Sequence, residues 1–147
     1  VASFKDLGGN EWIISFNIGN CRRLLELTKL DFANAHDGKA VSEIQANDSK
    51  MVQVLWLLIE EQAKAKGIDE DAFWQKLDGN VLEEAQSAIE EAVLSFTRPE
   101  RRAALKAILD KKREAIDKAM NLAVAKVQAV NIDQELEKQL SQSTSGS

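Results

Sequence analysis

Eight of the nine residues from Met51 to Ile59 are apolar, with Gln53 the exception. Wound into a helix, such a run reaches every side of the cylinder, because successive side chains are set about 100° apart. A chain that carries it must therefore surround it with other elements. The flanks fit a helix over 48–66, with Asp48 as N-cap and Gly67 as the residue able to turn left-handed at the end, and its last turns from Glu60 to Lys66 are amphipathic. This helix is expected to be the central and most buried one. The apolar run is far short of the roughly 20 residues that span a bilayer. The start, Val-Ala-Ser-Phe-Lys-Asp, has no basic and then apolar signal segment, so the expectation is a soluble intracellular protein without membrane contact.

The surrounding elements follow from turn chemistry and period. Phe4-Lys5-Asp6 and Glu11 to Ile18 read as two strands joined through Gly8, Gly9 and Asn10, with Trp12, Ile14, Phe16 and Ile18 alternating onto one face. That ribbon is marginal alone, so it packs on helices or adds its edge to another chain. Asn20 is the expected N-cap of a helix to about Thr28, with Leu24, Leu25 and Leu27 turned to the core. Residues 29–47, which include Asp37-Gly38, show no clean period and read as a loop with at most a short helical turn. Asp69 caps a short helix carrying Phe73, Trp74 and Leu77, and Asn80 with Glu83 matches a capping box that opens a helix from Val81 to about Phe96. Pro99 suits the first turn of a further helix, expected to reach about Val130 with Leu105, Ile108, Leu109, Ile116, Met120, Val124 and Val127 roughly on one side. Asn131-Ile132-Asp133 reads as a break before a last short helix to about Leu140. Ser141 to Ser147 reads as a flexible Ser-rich tail.

The expected fold class is mainly α, an N-terminal β-hairpin (1–18) followed by a compact bundle of about five to six helices in a single domain over 1–140. One proline, no tyrosine and seven glycines agree with it. A net charge of −5 gives no positive field for nucleic acid. The basic stretch from Arg98 to Arg113 has no interleaved aromatic residues, and Pro99 opens a long helix where a helix-turn-helix needs a short one. Its charges instead oppose Glu83, Glu84, Glu90 and Glu91 of the preceding helix, so the two are expected to pair antiparallel with attracting rims.

Residues able to do chemistry are few. His36, the sole histidine, sits beside Asp37 in a loop, with no serine or cysteine nucleophile at a recognisable spacing. Cys21 is the sole cysteine. A helix N-terminus with Arg22 and Arg23 would favour its thiolate, whereas the plainer reading is a small buried residue. The acidic pairs lack the Glu-x-x-His motifs of a di-metal bundle, and Asp69-Glu70-Asp71 lacks the glycine and closing glutamate of a calcium loop. Gly8-Gly9 precedes no Lys-Ser or Lys-Thr, so there is no phosphate loop. The expectation is a protein without catalysis, metal or cofactor that binds other proteins, with Trp12, Phe73, Trp74, Arg101 and Arg102 as candidate contact residues.

The order of features resembles a known family. Phe4-Lys5-Asp6, Gly9, Glu11-Trp12, Asn17-Ile18-Gly19, Arg22-Arg23-Leu24 and Leu27 to Asp31, followed by Val54-Leu55-Trp56, Glu61-Gln62-Ala63, Gly67-Ile68-Asp69, Phe73, Leu77-Asp78-Gly79 and the run from Phe96 to Arg102, are similar to tail assembly chaperones of siphophages and prophages. The likeness covers about Phe4 to Leu109 and consists of apolar and turn residues, with no catalytic or residue-level binding motif. It implies a protein of the bacterial host cytoplasm that binds the tape measure protein, keeps its long helices soluble and brings tail tube subunits to it. It further implies possible self-association, and a longer frameshifted product to which the Ser-rich end would be a linker. The alternative is a structural virion protein, a tail or head-completion subunit retained in the particle.

Overall fold

The computed structural model describes residues 1–145, with side chains for residues 1–140, so the expected tail over 141–147 lies outside the fully described residues. Asp6 makes the hairpin. One oxygen of its buried carboxylate accepts the backbone N–H groups of Gly8 at 2.9 Å and Asn10 at 3.0 Å, and the other accepts the Asn10 amide at 3.1 Å and the Trp12 indole at 3.0 Å. Gly9 supplies the positive φ of 80° that the turn requires. The strands β1 (Ser3–Lys5) and β2 (Glu11–Ile13) then pair antiparallel, with Phe4 opposite Trp12. Both of those side chains point into the core.

The second strand is shorter than its alternation suggests, since α1 (Ile18–Thr28) starts where Ile18 was expected to be buried. Asn17 rather than Asn20 is the N-cap. Asn17 accepts from the Asn20 N–H at 2.8 Å while Asn20 accepts from the Asn17 N–H at 2.9 Å, a reciprocal lock stronger than either residue offers alone. That lock fixes the helical phase, so Cys21 and Leu24 face inward while Leu25 and Leu27 are exposed, against the expectation for the latter two.

The stretch read as a loop over 29–47 holds a 3₁₀ turn (Ala35–Asp37) and a full helix, α2 (Lys39–Ala46). Asp37 accepts from the Lys39 N–H at 3.0 Å at its start, and Ala40, Val41 and Ile44 are buried. Three apolar residues over two turns are too few for the period to stand out against small polar neighbours, yet enough to seat a short helix on α3 (Asp48–Lys66).

The helix α3 is central as expected, packed against α1, α2, β2, the short α4 (Glu70–Trp74) and α5 (Gly79–Phe96). Met51, Val54, Leu55, Ile59 and Ala63 are fully enclosed, and Val52, Trp56, Leu57 and Leu58 are half-buried. Its N-cap is Asn47, which accepts from the Lys50 N–H at 3.2 Å, and Asp48 sits one position inside. Gly67 closes it at a φ of 69°. Asp69 caps α4 through the Ala72 N–H at 2.8 Å. At α5 the cap is Asp78, through the Val81 N–H at 2.9 Å, and not Asn80. The inner face of α5 is rich in alanine, with Ala85, Ala88 and Ala92 beside Val81, Ile89 and Val93, and β1 packs closely against this helix.

Pro99 opens α6 (Pro99–Ser145), which continues through the expected break at Asn131-Ile132-Asp133. Asparagine, isoleucine and aspartate each cost only about 0.7 kcal/mol or less in a helix, and neither glycine nor proline stands there to end it. The chain divides into two compact units, Val1–Leu109 and Asp110–Ser147. Leu105 and Leu109 of α6 complete the core of the first unit.

Replacing Asp6 by Ala should destabilise the protein by about 1–3 kcal/mol in urea unfolding at neutral pH, because several donors lose a shared acceptor. Burial pushes the Asp6 carboxyl up, but the hydrogen bonds from Trp12, Asn10 and Gly8 outweigh it and hold the group below its ordinary value of 3.8. A depressed carboxyl stabilises the fold fully above its unfolded value and loses that contribution as pH falls through the folded one. The gap between wild type and Asp6→Ala should accordingly stay constant from about pH 7 to 5 and narrow below 3.8. Independently, Ile44→Ala should cost about 2–5 kcal/mol, the loss of a core residue and far more than a loop position would give.

Candidate functional site

Two of the residues expected to contact partners lie in the interior. The Trp12 and Phe73 rings meet edge to face at 5.3 Å and both are wholly buried. Lys66 covers the Trp12 ring with its ammonium 4.8 Å from the centroid. They form the joint between hairpin and helices and offer nothing to a partner. The free edge proposed for the ribbon is also occupied at β2, where Gln62 behaves as a third strand. Its amide accepts from the Ile13 N–H at 2.9 Å and donates to the Ile13 carbonyl at 2.8 Å. Lys66 donates to the Glu11 carbonyl at 3.1 Å on the same edge.

Arg102 is committed inside the chain as well. Its guanidinium donates to the carbonyls of Leu94 at 2.8 Å, Thr97 at 3.1 Å and Ser95 at 3.3 Å, capping the C-terminal end of α5. This contact is made to backbone carbonyls and involves none of the four glutamates expected to face the basic stretch. Arg101 lines a cleft of about 370 Å³ with Ile18, His36, Phe96 and Arg98. Trp74 is the one aromatic candidate at the surface, 43% exposed on α4.

The side chains considered for chemistry have structural surroundings. Cys21 is buried, and that burial, with the Asp31 carboxylate nearby, pushes its thiol up to about 11. The thiolate reading of this residue is therefore reversed, since the helix start does not outweigh loss of water. Asp37 turns to the start of α2 and not to His36. Glu60 pairs with Arg23 at 2.6 Å, and Asp69 and Asp78 are caps. Among the described residues no group of three or more His, Cys, Asp or Glu side chains is placed to hold a metal ion, and no helix is long and apolar enough to cross a membrane.

The second unit holds the feature that the sequence reading assigned to packing. Ile116, Met120, Val124, Val127 and Val130 are 41 to 63% exposed, and so are Leu122, Ile132 and Leu136 at 53 to 59%. Ile116, Met120, Ala123, Val127 and Val130 follow alternating steps of four and three, which make one stripe along a helix. Leu122, Ala125, Ala129, Ile132 and Leu136 make a second with the same steps, on roughly the opposite side. A soluble helix normally keeps one side polar, and a helix apolar on two sides belongs between neighbours. The two stripes are legible in the spacing, and which surface covers them is not.

Comparison with protein-family models, with curated proteins and with solved structures gives no match.

The Cys21 environment is directly testable. In the folded protein at pH 8 the thiol should resist iodoacetamide for hours, and in urea it should react at the rate of an ordinary cysteine, as followed by mass spectrometry.

Proposed function

We propose that the chain is a non-catalytic chaperone of phage tail assembly that holds helical segments of the tape measure protein before they enter the tail and presents them to tail tube subunits. The observation that carries the reading is the distal part of α6, where two apolar stripes are exposed on one helix. Helical clients suit such a surface, because stripes stepped by four and three residues accept a second helix side by side. The resemblance over Phe4 to Leu109 supplies the identity of the client. A tape measure protein is a long helical chain whose own apolar seams need cover until the tube closes round it, and the chaperone's helix offers that cover without any bond being made or broken.

In this reading the first unit is the folded base, with Trp74 and the cleft at Arg101 as further surfaces for the tail tube partner. The client seat is the stripe of Leu122, Ile132 and Leu136. Co-expression with a tape measure fragment should give a complex that survives purification. The paired change Ile132→Asp and Leu136→Asp should weaken it by at least about a hundredfold, each apolar side chain being worth about 1.5–3 kcal/mol on burial. Failure of wild-type chain and tape measure fragment to co-purify would count against the function itself, and binding indifferent to the paired change would count against the seat.

A further inference from the structure

The two stripes need two kinds of cover, and the charges along α6 identify one. Residues 110–126 carry Lys111, Lys112, Arg113, Lys118 and Lys126 against Asp110, Glu114 and Asp117, a net charge of +2. Residues 127–140 carry Asp133, Glu135 and Glu137 against Lys138, a net charge of −2. We propose that Met120, Ala123, Val127 and Val130 of the first stripe are covered by the same four residues of a second copy of the chain, with the two helices running antiparallel.

The argument is one of register and sign. When the helices cross at residue 125, Met120 faces Val130 of the second copy, Ala123 faces its Val127, and every such contact occurs twice about the two-fold axis. In net charge the basic half of each helix then lies along the acidic half of the other, with Asp117 opposite Asp133 and Lys112 opposite Lys138 as the like-charged exceptions. A parallel pair in register would set basic on basic and acidic on acidic. Ala123 near the crossing point lets the two helices approach closely, and Val124 beside it adds apolar area at the centre. The stripe of Leu122, Ile132 and Leu136 stays open on the far side, so pairing and client binding use different sides and neither proposal depends on the other.

Sedimentation equilibrium of the full chain tests this. A dimer with a dissociation constant on the order of 10 µM is expected, weakening as salt rises because the halves attract. Val127→Asp should abolish it. Reversing the acidic half by Asp133→Lys, Glu135→Lys and Glu137→Lys should weaken it at least about tenfold, and adding Lys111→Glu, Lys118→Glu and Lys126→Glu to the same chain should restore it. Circular dichroism confirms that each variant keeps its helix. A chain that is monomeric at about 100 µM, a dimer that tightens with salt, or a dimer that ignores Val127→Asp and the charge reversals would each overturn the proposal.

Discussion

The fold of the first unit depends on the place where Asp6, Trp12 and Phe73 meet. A carboxylate enters the interior only when hydrogen bonds replace its water, and here the turn that follows Asp6 brings two backbone N–H groups and the Asn10 amide to it. The remaining partner is the Trp12 indole N–H. One anion therefore fixes the hairpin loop and the rotamer of the largest buried side chain together. Trp12 in turn sets the edge against which Phe73 packs, and Phe73 anchors α4 between β2 and α3, where its ring also meets Trp56 at 5.8 Å. A ribbon with three residues per strand would be marginal alone, and it persists because its far edge is completed by Gln62 and Lys66 of α3.

This arrangement explains which expectations from sequence held. The apolar run from Met51 to Ile59, Gly67, Asp69 and Pro99 each act through local chemistry, and each stands where the sequence suggests. The errors arise where two local solutions compete. Asn17 and Asn20 are both good caps, and only their reciprocal pairing selects the earlier one. Asp78 and Asn80 compete in the same way. In α2 the apolar content is too slight to show a period, and what makes it a helix is burial of Val41 and Ile44, which is a tertiary fact.

The candidate site was legible in a different measure. Trp74 is exposed as expected, whereas Trp12, Phe73 and Arg102 are structural, since an aromatic or arginine side chain looks the same in sequence whether it meets a partner or its own chain. The reverse error concerns α6. Ile116, Met120, Val124 and Val127 have the spacing of core residues, and sequence carries no sign of whether the surface they need lies within the chain. Their exposure leaves the stripe without cover from the first unit's core.

The two units are thus unequal in what they can supply for themselves. The first has an interior closed by Leu105 and Leu109. The second is a helix whose apolar side chains are exposed, and such a helix is stable chiefly through what packs on it. The central claim is that this cover comes from outside the chain. Amide hydrogen exchange of the dilute chain, read segment by segment with and without a tape measure fragment, tests it most directly. The account predicts slow exchange in α3 under both conditions, and fast exchange over residues 116–136 that becomes slow when the fragment is added. Residues 116–136 exchanging as slowly as α3 at nanomolar concentration, with no partner present, would contradict it.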